Sequence, residues 1–218
     1  MTVHPEYCRA NVKILIVGQE TCKFFDTVGE TKEKFNALSD DNFPDTLNRW
    51  SSKWLFGTEG HSKKHTAFWS FITEVKDSVN EKTGNYSNIA WSNLLHMDAV
   101  TGKKSSKVNR ICETAEEMML KLKLVQKEIV ICQPDAIVFL VGPKYVEVLK
   151  KTCSVTDGTI QAITKVNPFR MFLHTTEPLI NEIPCFYTYH PGYLRRNKAL
   201  LRQVTSEVRC WLTTIKKT

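Results

Sequence analysis

The chain has 218 residues, 42% of them hydrophobic and 10% aromatic, which is enough for one enzyme-sized core and too apolar for wholesale disorder. No apolar run reaches the roughly 18 residues that a membrane helix needs, and the first residues, MTVHPEYCRANVK, lack the apolar stretch of a secretory signal; the expectation is an intracellular protein, cytoplasmic or, in a eukaryote, nuclear, with no membrane partner. A formal charge of +7 and a pI near 9.0 favour a polyanionic partner, because cations that neutralise phosphates release counterions.

Taken in chain order, VKILIVG at 12–18 reads as a buried strand that ends on Gly18 and then presents Gln19 and Glu20. The stretch to residue 37 begins a loop and a helix, and 38–64 reads as an elaborated loop packed by Trp50, Trp54 and Phe56. Residues 65–79 space Phe68, Phe71, Ile72 and Val75 as one helix face, and NIAWSNLL at 88–95 is a second strand ending near Asn93. Thr114 to Glu117 fits a capping box that opens one long helix toward Ile131. DAIVFLVGP at 135–143 is a third strand, and its Gly142-Pro143 leads into a short helix with Tyr145, Val148 and Leu149. The runs 169–174 and 184–189 both read as strands, and Leu194 to Ile215 as the terminal helix. Strands alternating with helices predict an α/β protein, a three-layer α/β/α sandwich with a mainly parallel central sheet. With no Pro/Gly/Ser-rich linker and no repeat, residues 1–218 read as a single domain.

Motif absences narrow the chemistry. G-x-x-x-x-G-K-[ST] and G-x-G-x-x-G are missing, so no phosphate cradle is supported, and neither the zinc deaminase signature nor G-x-S-x-G occurs. Seven scattered cysteines, several within apolar runs, read as buried thiols; without C-x-x-C an iron–sulfur cluster is not expected. His61 and His65 share a possible helix face but lack a nearby carboxylate or thiol pair, which makes a poor metal site. Cations flank the strand-end segments in KSSKVNR at 104–110, with Lys104 and Lys107, and in LRRNKALLR at 194–202, with Arg195 and Arg196, whereas Lys121, Lys123 and Lys127 read as a solvated helix face.

Three strand ends therefore carry polar groups: Gly18-Gln19-Glu20, Ser92-Asn93, and His190-Pro191-Gly192-Tyr193-Leu194-Arg195-Arg196. In order and in placement they resemble the three active-site motifs of the uracil-DNA glycosylase superfamily. The resemblance implies a monofunctional DNA glycosylase with that superfamily's fold, acting as a monomer without metal or cofactor. It would flip a uracil or a 5-substituted pyrimidine out of DNA and hydrolyse its N-glycosidic bond, in base-excision repair or in defence against modified foreign DNA. Glu20, where the best-known members carry Asp, would activate water and stabilise the sugar cation. His190 would stabilise charge on the departing base, and Gln19 and Asn93 would bind the base with Phe24 or Phe25 stacked on it. Tyr193 and Leu194 would form an apolar wedge, with Arg195, Arg196, Lys104 and Lys107 on the DNA. Cys22 stands where the classical motif carries the tyrosine that excludes 5-methyl groups, which opens the pocket to larger pyrimidines.

Each residue also has a purely structural alternative. Gln19 and Glu20 can cap the following helix, Asn93 can satisfy buried backbone groups, and His190 can be a bonded core histidine. At the level of the whole chain, the alternatives are a catalytically inactive glycosylase-fold DNA-binding protein and an unrelated small-molecule α/β enzyme. The basic segments beside the site disfavour the latter, and only an activity assay separates the former from the enzyme.

Overall fold

The computed structural model of the chain describes residues 1–4, 6–20, 67–79, 87–95, 113–155, 160–172 and 183–215. Its strands are β1 (Thr2–Val3), β2 (Ile14–Glu20), β3 (Ile89–Leu95), β4 (Ala136–Phe139), β5 (Phe169–Phe172) and β6 (Cys185–Thr188), joined in one sheet in the order β1-β3-β2-β4-β6-β5. The pairings of β2 with β3, β2 with β4, and β4 with β6 are parallel, while both edges, β1 on β3 and β5 on β6, are antiparallel. The sheet is therefore mixed but mostly parallel.

The apolar runs explain its centre. Ile14, Leu15, Ile16 and Val17 in β2 and Ala136, Ile137, Val138 and Phe139 in β4 are all fully buried, as strands covered on both faces must be. Burying each of the larger aliphatic side chains contributes about 1.5–3 kcal/mol, so the centre of the sheet is the most strongly held part of the fold. The helices are α1 (Ala67–Val79), α2 (Glu113–Leu122), α3 (Leu124–Cys132), α4 (Val146–Cys153), α5 (Pro191–Leu194) and α6 (Lys198–Ile215). They pack in two groups: α1 with α5 and α6, and α3 with α4 and β3. In α1 the expected apolar face is realised, with Phe71, Ile72 and Val75 buried and Phe68 half-buried. The edge strand β5 is fastened by Phe169 stacked on Phe186 at 3.9 Å, and Trp211 of α6 abuts Phe186 from the helix side.

Three expectations need correction. The long helix from Thr114 toward Ile131 breaks at Lys123, which adopts a left-handed conformation at φ 49°, and Thr114 falls inside α2 instead of capping it. The terminal helix does not run unbroken from Leu194: the chain makes the short α5, turns, and restarts as α6, with Asn197 Oδ1 accepting the Leu200 N–H at 3.1 Å, an Asn cap of the ordinary kind. Cys132, Cys153 and Cys185 are buried as expected, but Cys8 and Cys210 are exposed. The loop at 38–64 and Cys22, Cys112, His61 and His65 lie outside the described residues.

Candidate active site

The chain passes from β2 to β3 on one side and later to β4 on the other, so the carboxyl ends of β2 and β4 form the topological switch point where open α/β sheets hold their ligands. Gln19 spans that point, its Nε2 donating to the Val141 carbonyl at 2.7 Å. The next residue along from Val141, Gly142, has φ +67°, a left-handed conformation that favours glycine. Its N–H donates to the Thr188 carbonyl at 2.8 Å, tying the end of β4 to the end of β6. A Cβ at Gly142 would lie 3.6 Å from the His190 nitrogen and 3.9 Å from Gln19 Nε2. Gly142 is thus the joint that sets Gln19 beside the His190 loop.

On the other side of β2, Gly18 is in register with Asn93. A Cβ on Gly18 would fall 2.5 Å from Asn93 Oδ1, so the amide occupies space that only glycine leaves free. Asn93 is 7% exposed, and its amide forms no hydrogen bond among the described residues. Its neighbour Ser92 is spent on structure, donating to Glu128 of α3 at 2.5 Å. The two residues of the Ser-Asn pair therefore divide their roles: one fixes the strand, and the other holds a donor and an acceptor at the strand's end.

His190 precedes α5, and its Nδ1 accepts the Gly192 N–H at 3.1 Å. That bond leaves the neutral ring's proton on Nε2, as a donor. Burial lowers the His190 pKa below its ordinary value of 6.5, which favours the neutral form. The ring lies against Phe68 of α1, centroids 5.9 Å apart and planes 22° from parallel. Phe68 also reaches Gly18, with its Cε2 at 3.6 Å from where a Cβ would stand, so one aromatic side chain links the β2 and β6 segments.

Gln19 and His190 line a cavity of about 690 Å³ together with Gly142, Pro143, Lys144, Tyr145, Tyr189, Tyr193 and Arg196. Tyr193 stacks on Tyr189 with centroids 4.7 Å apart.

Gln19, Asn93 and His190 thus lie at the carboxyl ends of β2, β3 and β6, and Tyr193 of α5 and Arg195 and Arg196 just after it stand exposed. Leu194 corrects the wedge expectation. It is fully buried, because α5 packs between α1 and α6 and draws this side chain into the core with Leu200 and Val204. Tyr193 is the exposed apolar residue of that turn. The Glu20 side chain, Phe24, Phe25, Lys104 and Lys107 lie outside the described residues, though the Glu20 backbone is in β2, in register with Leu95. Sequence reasoning passed over Phe68, Gly142, Lys144 and Tyr189 as site residues; only Gly142 had a signal, as the glycine that ends an apolar run before proline. Lys121, Lys123 and Lys127 are exposed, as a solvated face requires. Among the described residues no three His, Cys, Asp or Glu side chains gather as a metal site, and no helix is long and apolar enough to cross a membrane. Compared with protein-family models and with curated protein sequences, the chain matches none.

Proposed function

We propose that the chain is a monofunctional DNA glycosylase of the uracil-DNA glycosylase type, with the corresponding α/β/α fold, acting on uracil or a 5-substituted pyrimidine. The observation that carries this reading is the placement of three polar side chains at the carboxyl ends of parallel strands: Asn93 of β3, in register with Gly18, and Gln19 and the His190 segment, which meet at Gly142. The Asn93 amide offers both a donor and an acceptor, the complement of a pyrimidine edge that offers an acceptor and a donor.

In this mechanism the extruded base docks its polar edge on Asn93. The C1′–N bond breaks, the electron pair leaves with the base, and the Nε2–H of His190 donates to the base oxygen on which that charge collects. The role of Glu20 is to stabilise the developing sugar cation through its carboxylate charge and to activate a water, whose oxygen bonds to C1′ while its proton passes to the carboxylate. The base anion then takes up a proton from solvent and Glu20 releases its own, which leaves a neutral free base, an abasic sugar and the starting carboxylate. Preorganised donors of this kind contribute about 10²–10³-fold each.

The test is incubation with oligonucleotides carrying uracil, hydroxymethylated and glucosylated pyrimidines, followed by detection of abasic sites. Release of one base supports the reading and names the substrate. DNA binding with no abasic site from any member of the panel overturns the enzyme and leaves a DNA-binding protein.

A further inference from the structure

His190 immediately precedes α5, and α1 packs against both α5 and α6. The imidazole is held at two places. Its Nδ1 accepts the Gly192 N–H at 3.1 Å, and a Cβ at Gly192 would lie only 3.4 Å from Cε1, so the turn leaves the ring little room on that side. One bond fixes one atom. The tilt of the plane stays open, because the outer torsion of a histidine has broad minima. Phe68, the second residue of α1, supplies the other constraint: its ring lies 22° from parallel with the imidazole, centroids 5.9 Å apart, which is an offset stack. Phe68 is itself braced. Trp69 and Trp91 meet it edge to face at 5.5 and 6.1 Å, and its Cε2 stands 3.6 Å from where a Cβ on Gly18 would be.

We propose that Phe68 is a positioning residue for His190, which fixes the plane of the imidazole so that its Nε2–H is aimed at the departing base, and which keeps water from one face of the ring. The inference rests on the glycosylase reading for what Nε2 does, whereas the hold of Phe68 on the ring stands on the stack alone. Phe68 acts through His190 and not on the base. The groups around the imidazole agree with a ring kept neutral. Gln19 of β2 and Phe68 of α1 carry no charge, and the cations that line the cavity with His190 are Lys144, before α4, and Arg196, after α5. Its other titratable lining groups are Tyr145, Tyr189 and Tyr193, and among the described residues no carboxylate lines it. Burial is what lowers the His190 pKa, and a ring stacked on the imidazole is part of that burial.

The experiment follows the His190 ring proton by NMR through a pH titration of the full chain without DNA, with His190→Gln to assign the resonance, and measures single-turnover excision in parallel. Wild type is expected to titrate below 6.5. Phe68→Ala is expected to bring the midpoint to about 6.5, the value of a solvated imidazole. It is also expected to slow saturating single-turnover excision about 10²-fold, the cost of a misplaced catalytic group, with DNA affinity unchanged. Phe68→Tyr, which keeps the ring, is expected to restore both. Phe68→Leu keeps apolar bulk without a flat face, is expected to move the same way by a smaller amount, and takes the place of the alanine variant if that one does not fold. Phe71→Leu alters a buried ring elsewhere on α1 and is expected to lower stability while leaving the His190 midpoint in place. A wild-type midpoint in both Phe68→Ala and Phe68→Leu overturns the proposal. So does an equal shift in Phe71→Leu, which would make the effect a general loosening of α1, and so does a shifted midpoint with a wild-type excision rate. If wild type excises no base, the glycosylase reading fails, and the titration alone decides whether Phe68 holds His190.

Discussion

A histidine whose Nδ1 is committed to a backbone N–H can act at Nε2 in only one way while neutral, as a donor. For His190 that commitment is the bond from Gly192, and burial reinforces it by lowering the pKa. The stability consequence has a definite sign. In the unfolded chain the ring titrates near 6.5, above its folded value, so between the two the unfolded state binds the extra proton and stability falls as pH drops below about 6.5. His190→Gln is expected to reduce that acid sensitivity, read from denaturation midpoints at pH 7 and pH 5; an identical loss in wild type and mutant would assign the effect to other groups, among them His4, whose pKa burial also lowers. For activity, excision is expected to hold its rate as pH falls past 6.5 and to decline only at the depressed value. His190→Ala is expected to slow excision about 10²–10³-fold. Glu20→Gln keeps size while removing charge, and its expected cost is about 10²–10⁴-fold in a single turnover with folding unchanged; wild-type turnover in that mutant would remove Glu20 from the mechanism.

At the scale of the element, the end of β2 does its work through what Gly18 lacks. A methyl group there meets the Asn93 oxygen at 2.5 Å, well inside contact distance, and the amide must rotate away. Gly18→Ala is therefore expected to reproduce Asn93→Ala, with lower rate and poorer discrimination across the base panel. Selectivity equal to wild type in both variants would show that the amide does not read the base. Central strands of this kind are legible in the sequence because full burial writes a continuous apolar run, as in Ile14–Val17 and Ala136–Phe139. The polar groups at their ends are legible for the same reason, since an apolar run that stops on Gln19, Asn93 or His190 marks a strand's mouth. Helix boundaries are less so. Lys123 gives no turn signal, yet its left-handed backbone separates α2 from α3, a local choice made by packing over propensity. Leu194 misleads because an apolar residue beside two arginines looks the same whether it faces DNA or the core; only the packing of α5 on α1 and α6 decides between them. Phe68 reads in the sequence as one more position on an apolar helix face, and its place beside His190 depends on how α1 lies against the β6 loop, which no local pattern records.

For the molecule as a whole, the question is whether its net charge of +7 is diffuse or directed. A diffuse charge raises non-specific affinity everywhere, whereas a directed one concentrates its salt dependence in the few cations that touch phosphate. Arg195 and Arg196 follow His190 by five and six residues, are exposed, and sit at the turn between α5 and α6. Lys121, Lys123 and Lys127 are equally exposed but belong to α2, α3 and the break between them, and α3 packs on α4 and β3. Replacing both arginines with alanine is expected to weaken binding to all duplex sequences alike and to lower the slope of log affinity against log salt by about 1.8, close to 0.9 for each phosphate left without its cation. Replacing the three lysines with glutamine removes more charge, yet is expected to leave that slope near the wild-type value. If the lysine variant flattens the salt dependence as much as the arginine variant does, the charge is diffuse, and the loop after His190 has no special part in holding DNA.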